Sequence, residues 1–452
     1  MFTRALYVML AIGGSILAIQ SSRQPTSVSV SVTQPAVAPP SPESFLGSIP
    51  LAKLPLETQQ AVKSAIEKTR KLPKDARSWV QLGDALAQGY RDTNDTKFYD
   101  YAEGAYQFAY GFDSHSTDSL CGLAWVYGGR HLFTQSMEYA AQALALDEGN
   151  ATAIGILGDA ELELGNYEVA MDHYQKMMDL RPDLSSWSRG AHALWLTGNT
   201  SRAIWLMERA IKAGSPFAEN TAWCRAQLAL MLFNDGALTA AAQTLEPALQ
   251  ATSHNPHVLL AAGRIAVAQR DFESARKHFE SLLEIGPHHE ALVRLGDLHA
   301  SQGQQAEADK CYAAVESLHA SSMAAGGHDH MAMAKFYADH DRNLPEAVRL
   351  AEQHKDSRNV VELDVLAWVY HKNGDQAHAI ACMKRALRLN TQDAEMHFHA
   401  GLIAAAAGDT TSASKHLQTA LSLNPQFHPQ FGPLAAQTLE KLATPVTAGL
   451  DP

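Results

Sequence analysis

A chain of 452 residues would ordinarily divide into about three globular domains. Its 46% hydrophobic content supplies a sizeable core and excludes bulk disorder. The 36 Lys and Arg against 48 Asp and Glu give a formal charge of -12. That excludes nucleic acid as a partner, and four cysteines exclude a disulfide scaffold.

The chain opens with Arg4, an uncharged run from Ala5 to Ile19, and then polar Gln20, Ser21, Ser22 and Arg23. A basic start and a short apolar stretch fit an export signal. The run is also nearly long enough for an uncleaved membrane anchor, which needs about twenty apolar residues. Gln20 spoils the small-x-small positions around Ala18, which favours the anchor. Either reading of residues 1–23 puts the rest of the chain outside the cytoplasm, tethered or exported. Residues 24–50 carry Pro25, Pro35, Pro39, Pro40 and Pro42 and read as a semi-stiff linker.

From about residue 57 the apolar spacing becomes helical, at i, i+3, i+4 and i+7. Glu57 to Lys71 reads as a first, capping helix within 51–75. The rest is self-similar at about 34 residues. Ile154, Leu157 and Gly158 are followed by Gly165, Ala170, Tyr174, Met177 and Pro182. Leu259, Ala262 and Gly263 lead to Ala275, Phe279, Leu282 and Pro287; His397, Ala400 and Gly401 lead to Gly408, Ala413, Leu417, Ala420 and Pro425. Small residues recur where two helices must approach closely, large ones fill the gap, and a proline ends each unit. Ten units aligned on these positions start at 76, 117, 151, 184, 222, 256, 289, 328, 360 and 394 and occupy 76–427. Longer steps place insertions near Gln88–Asp100, Ser215–Asn220 and Ala320–Gly327. Within 428–452, Leu434 to Ala443 reads as a C-terminal capping helix.

This pattern, with Trp79, Leu82 and Gly83 opening the first unit, resembles the tetratricopeptide-repeat family. The resemblance implies an all-α fold, a right-handed α-solenoid of about ten helix-turn-helix repeats capped at both ends. It also implies a binding protein rather than an enzyme, with no cofactor. Stacked helix pairs would keep Cys121, Cys224, Cys311 and Cys382 too far apart for a disulfide.

A search for chemistry finds no phosphate loop and no GxGxxG or GxSxG. His289-Glu290 begins a zinc-protease motif that fails at Val293. Histidine is in excess, at 21 residues, and Gly326-Gly327-His328-Asp329-His330 lies in an insertion. His328 and His330 could contribute to a metal site, making the protein a metal- or redox-linked accessory factor. In the simpler reading Asp329 caps the next helix and the histidines are solvated.

In the family, positions 2, 5, 9 and 12 of each first helix line the concave groove. The resemblance therefore assigns partner binding to Trp125, Trp195, Trp223, Phe233, Arg264, Phe336, Trp368 and Phe398, with Asp84, Asp159, Asp297, Asp339 and Asp364 beside them. Chaperone-binding members hold acidic C-terminal peptides through Lys, Asn and Arg, but the corresponding places here are Val80, Asp84 and Cys121. The expected occupant is a protein or peptide segment, apolar with basic flanks.

Overall fold

The structure, a computed structural model, describes residues 41–216, 218–251, 255–324 and 330–443. The chain divides at Ser41/Pro42, and the body that follows is all-helical among the described residues. It opens with α1 (Pro42–Ser48) and α2 (Leu56–Lys71). Five helix pairs follow: α3 (Ala76–Thr93) with α4 (Lys97–Phe112), α5 (Thr117–Gly129) with α6 (Phe133–Leu146), α7 (Ala151–Glu163) with α8 (Tyr167–Leu180), α9 (Leu184–Leu196) with α10 (Thr200–Ala213), and α11 (Glu219–Asn234) with α12 (Leu238–Ala251). Five more complete the stack: α13 (Pro256–Ala268) with α14 (Phe272–Ile285), α15 (His289–Ser301) with α16 (Gln305–Ala324), α17 (His330–Asp339) with α18 (Leu344–Ala351), α19 (Val360–Lys372) with α20 (Gln376–Ala386), and α21 (Ala394–Ala406) with α22 (Thr410–Leu423). α23 (Phe431–Ala443) closes the stack.

Capping residues set where the helices begin. The side chains of Asp75, Ser116, Asn150, Asp183 and Asn255 accept from backbone amides of the helices that follow them, satisfying donors a helix start leaves orphaned. Within a pair, a glycine on the first helix admits an aromatic ring from the second. A Cβ on Gly83, Gly158 or Gly296 would lie 2.5 Å from the ring of Tyr106, Tyr174 or Tyr312. The aspartate after each of these glycines accepts the tyrosine hydroxyl: Tyr106 donates to Asp84 at 2.8 Å, Tyr174 to Asp159 at 3.0 Å and Tyr312 to Asp297 at 2.9 Å. Close packing and buried-polar satisfaction thus share a two-residue Gly-Asp unit.

Some boundaries differ from expectation. α11 begins at Glu219 rather than 222, and the expected start of the eighth unit at 328 lies outside the described residues. The first and third insertions lengthen helices, giving α3 18 residues and α16 20. The end of the expected linker is folded. In α1, Phe45 and Leu46 are buried, and the Phe45 ring packs 6.0 Å from Trp79 and 5.5 Å from Phe108, which buries aromatic surface that solvent would otherwise reach.

Repeats far apart in sequence also touch. The turn inside the α7–α8 pair meets the segment before α19, the α9–α10 turn meets the segment before α21, and the α11–α12 turn meets the segment after α22. Along this seam Asn359 Nδ2 donates to the Glu163 carbonyl at 3.1 Å, Thr391 Oγ1 to the Leu196 carbonyl at 2.6 Å and Asn424 Nδ2 to the Phe233 carbonyl at 2.8 Å. These carbonyls lie in the last turns of α7, α9 and α11, where a helix leaves acceptors unpaired. The Tyr167 hydroxyl also accepts the Val360 amide at 2.8 Å.

Candidate functional site: an inner chamber

The eight residues assigned to partner binding separate into two groups. Trp125, Trp195, Trp223 and Arg264 are half-buried. Phe233, Phe336, Trp368 and Phe398 are buried, none more than 2% exposed, and do not offer the open face expected of groove residues. The physical reason is that the chain fills its own inner face here. The connector between α22 and α23 turns inward: Phe427 and His428 are buried, and Phe431 stacks on Phe398 at 5.0 Å. Gln426, Phe427 and Pro429 leave only a cavity of about 20 Å³ against Phe233, Arg264 and Phe279. Burying the rings stabilises this packing by about 2 kcal/mol for each large apolar side chain.

Around those rings lies a charged network. Lys335 Nζ sits 2.5 Å from Asp339 Oδ2 and 2.6 Å from Glu395 Oε1. Arg294 lies 3.4 Å and Arg264 3.8 Å from Glu290. Asp297, 2% exposed, accepts from His340 Nε2 at 2.7 Å and pairs with His428 Nε2 at 3.2 Å. Burial alone would raise the Asp297 carboxyl, but these donors outweigh it and hold the group well below the usual carboxylate range. For His340 and His399 burial pulls downward, yet Asp297 and Asp364 reverse it and both imidazoles titrate above their ordinary value. Trp368 donates from Nε1 to Asp339 at 2.9 Å and stacks on His399 at 4.3 Å.

Asp339, Glu395 and His399 are the one grouping of three ligand-type side chains among the described residues. The Lys335 ammonium already lies between its two carboxylates, so the cage holds a tethered cation. Of the metal candidates in the histidine-rich insertion, His328 lies outside the described residues and His330 begins α17.

The other half of the inner face is open. A chamber of about 1340 Å³ is bounded by α3, α7, α9 and α11, by Pro55 to Thr58 at the start of α2, and by Asn255 and Pro256. Trp223 and His192 line it, with five carboxylates (Glu57, Asp92, Asp159, Glu163, Glu219) against two guanidinium groups (Arg91, Arg189). Both cations are engaged. Arg189 grips Asp159 with two nitrogens, each at 2.8 Å, and Arg91 lies 3.5 Å from Glu219, joining the first pair to the fifth. Asp92 accepts from Thr58 at 2.5 Å and Gln88 at 2.8 Å. Glu163 forms no ion pair; its Oε2 accepts only from Asn359 Nδ2, at 3.4 Å. Glu163 lines the chamber and is exposed to solvent there. Burial, with Asp159 and Glu362 nearby, pushes its carboxyl up to about 7.

Of the eight assigned residues, Trp223 lines this chamber. Trp125 instead packs on Tyr99 at 5.5 Å with the Arg91 guanidinium 5.5 Å from its ring, and Trp195 stacks on His192 at 6.3 Å. Sequence reasoning missed Glu163, Arg189 and Glu219. Glu163 and Glu219 stand at helix ends, and only the curvature of the stack turns them inward.

Among the described residues no helix is long and apolar enough to cross a membrane, and the expected anchor in 1–23 lies outside them. All four cysteines are free, three of them buried. No curated protein matches the chain in sequence. Among solved structures, the Cut9–Hcn1 hetero-tetramer of the APC/C covers 89% of this chain and 98% of its own, at 12% identity and a TM-score of 0.38. Yeast Tom70 covers 85% and 92%, at 12% identity and 0.38. Pseudomonas aeruginosa pilF covers 48% and 94%, at 21% identity and 0.34. The family description Tetratricopeptide repeat matches residues 121–185, 260–321 and 365–426; the first two hold the Gly158-Asp159/Tyr174 and Gly296-Asp297/Tyr312 units, and in the third Gly401 faces Leu417. The chain thus carries tetratricopeptide repeats at these three stretches, within an all-helical α-solenoid.

Proposed function

We propose that the protein is a scaffold whose open chamber holds an extended segment of a protein partner. The observation that carries this reading is the contrast within the inner face: one half is packed with the chain's own side chains, while the other keeps about 1340 Å³ free beside Trp223. A chamber of that size takes several residues of an extended chain, and a half-buried tryptophan is a typical anchor for an apolar side chain. The surplus of carboxylates selects basic flanks and rejects acidic tails. The work done is binding, without catalysis or a cofactor. In this reading the apolar run in 1–23 holds the scaffold at a membrane or directs its export, outside the cytoplasm.

The test is crosslinking in native membranes with the full chain, comparing wild type with Trp223→Ala and with Gln227→Trp, which fills the chamber. Both variants should lose the same crosslinked protein. A partner retained by the chamber-filling variant would rule out the chamber as the site. Alkaline extraction of membranes tests the tether separately: the full chain should stay with the membrane, and release into the wash would exclude a spanning anchor.

A further inference from the structure

The charged cage in the closed half of the inner face draws on three helices. α17 supplies Lys335 and Asp339, and α21 supplies Glu395 and His399, each pair four residues apart and so on one side of its helix. One oxygen of each carboxylate and one ring nitrogen of His399 all lie within 4.8 Å of one another. α19 supports them from behind. His399 Nδ1 donates to both oxygens of Asp364, at 3.0 and 3.1 Å. The other ring nitrogen, Nε2, is buried and has no hydrogen-bond partner among the described residues, on a side chain with 0% exposure. A buried polar atom left in that state is costly, and it is the nitrogen that remains for the cage. A carboxylate on the opposite nitrogen is also the usual support of a metal-binding histidine. Trp368 fixes the rest: its Nε1 donates to Asp339 Oδ1 at 2.9 Å, which leaves Oδ2 to face Lys335, and its ring stacks on His399 at 4.3 Å.

We propose that Asp339, Glu395 and His399 bind a divalent first-row metal ion of the zinc and cobalt class, with Lys335 as the tethered cation that leaves when the ion enters. Two carboxylates and an imidazole, with a water completing the sphere, are a donor set such ions take, and the nitrogen ligand disfavours magnesium and calcium. Lys335 Nζ lies 2.5 and 2.6 Å from the two carboxylates. An ion at the ammonium's place needs each oxygen to close in by about half an ångström to make a bond of about 2.1 Å. The occupant is removable: the Lys335 side chain is 28% exposed, and its flexible stem can carry the ammonium out to water. Arg294, the other permanent cation whose charge bears on Glu395, is engaged by Glu290 at 3.4 Å. Any proton on Nε2 goes to solvent as that nitrogen takes the ion. The bound ion would crosslink α17 to α21. Neither helix bounds the open chamber, so the proposal stands independently of the binding reading above.

The probes are Co2+ and Zn2+ added to the purified full chain after treatment with a chelator. Co2+ should develop the visible absorption of a protein-ligated ion, and Zn2+ should bleach it by competition. The chain's 21 histidines offer such ions other places to sit, so variants must identify the cage. His399→Asn keeps an amide donor for Asp364 and deletes Nε2, and Glu395→Gln removes one ligand's charge. Each should weaken Co2+ binding by about ten-fold or more. His328→Ala combined with His330→Ala should leave that binding unchanged. Lys335→Met removes the competitor and should tighten binding about ten-fold, the scale of one lost charged hydrogen bond. Zn2+ should also raise the melting temperature of Lys335→Met more than that of wild type. A Lys335→Met chain that folds only with Zn2+ present would give the same support. Absence of Co2+ absorption in wild type, or absorption equal in wild type, His399→Asn and Glu395→Gln, would overturn the proposal. So would loss of the signal in the His328/His330 double variant, which would put the ion in the insertion instead.

Discussion

Two sets of turns carry the same signature and live in different surroundings. Gly165, Gly198 and Gly236 end the first helices of three early repeats with φ of 77°, 75° and 72°. Gly303, Gly374 and Gly408 do the same in three late ones with φ of 75°, 85° and 79°. All six are needed where the chain turns left-handed. At the late turns a Cβ would meet nothing within 4 Å; at the early ones it would lie 2.3, 2.4 and 2.6 Å from the backbone of Arg358, Asn390 and Leu423. One residue type thus answers a local demand at six places and a long-range demand at three of them. The repeat specifies the first demand, and curvature creates the second.

The largest effect should come from breaking that difference directly. Gly408→Ala incurs only the left-handed strain, about 1 kcal/mol. Gly198→Ala adds a clash with backbone that no rotamer can relieve, for about 3 kcal/mol in all. Urea unfolding of the two variants should differ by roughly that gap, and equal midpoints would mean the seam is absent in solution. Next is the polar side of the seam: Asn424→Ala removes one donor from the Phe233 carbonyl, which keeps the Gly236 amide at 3.1 Å, and should cost about 1 kcal/mol. Gln302→Ala, at the end of α15 where nothing docks, should stay within about 0.5 kcal/mol.

A smaller effect sharpens the comparison through pH. His340 has its pKa raised in the folded state, chiefly because Asp297 outweighs burial. Its contribution is fully present below the ordinary imidazole value near 6.5 and is lost as pH rises through the raised folded value. The melting-temperature gap between wild type and His340→Gln should therefore be widest at acid pH and shrink toward pH 9; a gap independent of pH would show that the ion pair does not form. Glu163 behaves in the opposite way and should give the smallest change. A carboxyl raised to about 7 opposes folding above that pH and ceases to do so as pH falls toward 4.5. Glu163→Gln should melt slightly higher than wild type at pH 8 and alongside it at pH 4.

The sequence announced local structure well, because local structure is what a repeat encodes. Asp75, Ser116 and Asn150 mark helix starts by their own chemistry, and Gly158 with Tyr174 announces close approach within a pair. The site was far less legible. Phe398 and Trp368 occupy groove positions by count, yet Phe431 and its connector cover that stretch, a fact that depends on where the last repeat arrives. Nothing in the sequence distinguishes Glu163 from the other acids at helix ends. Its neighbours Asn359 and Glu362 come from nearly two hundred residues later. α1 was hidden for a related reason: Pro42 and the prolines before it read as linker, while Phe45 has a partner in Trp79 that only the fold supplies.

The seam also sets a timetable. Most contacts in a solenoid join neighbours, so each unit can settle as it is made. The bonds from Asn359, Thr391 and Asn424 span 196, 195 and 191 residues. At the usual pace of synthesis that is a wait of about 10 to 40 s between the appearance of a turn and the appearance of its cover. Through that interval Gly165, Gly198 and Gly236 present bare backbone, and the early repeats fold with one edge unfinished. Asn359 arrives beside Glu163 only when the ninth repeat docks, so a ribosome-bound chain would hold the early helices before it holds this contact.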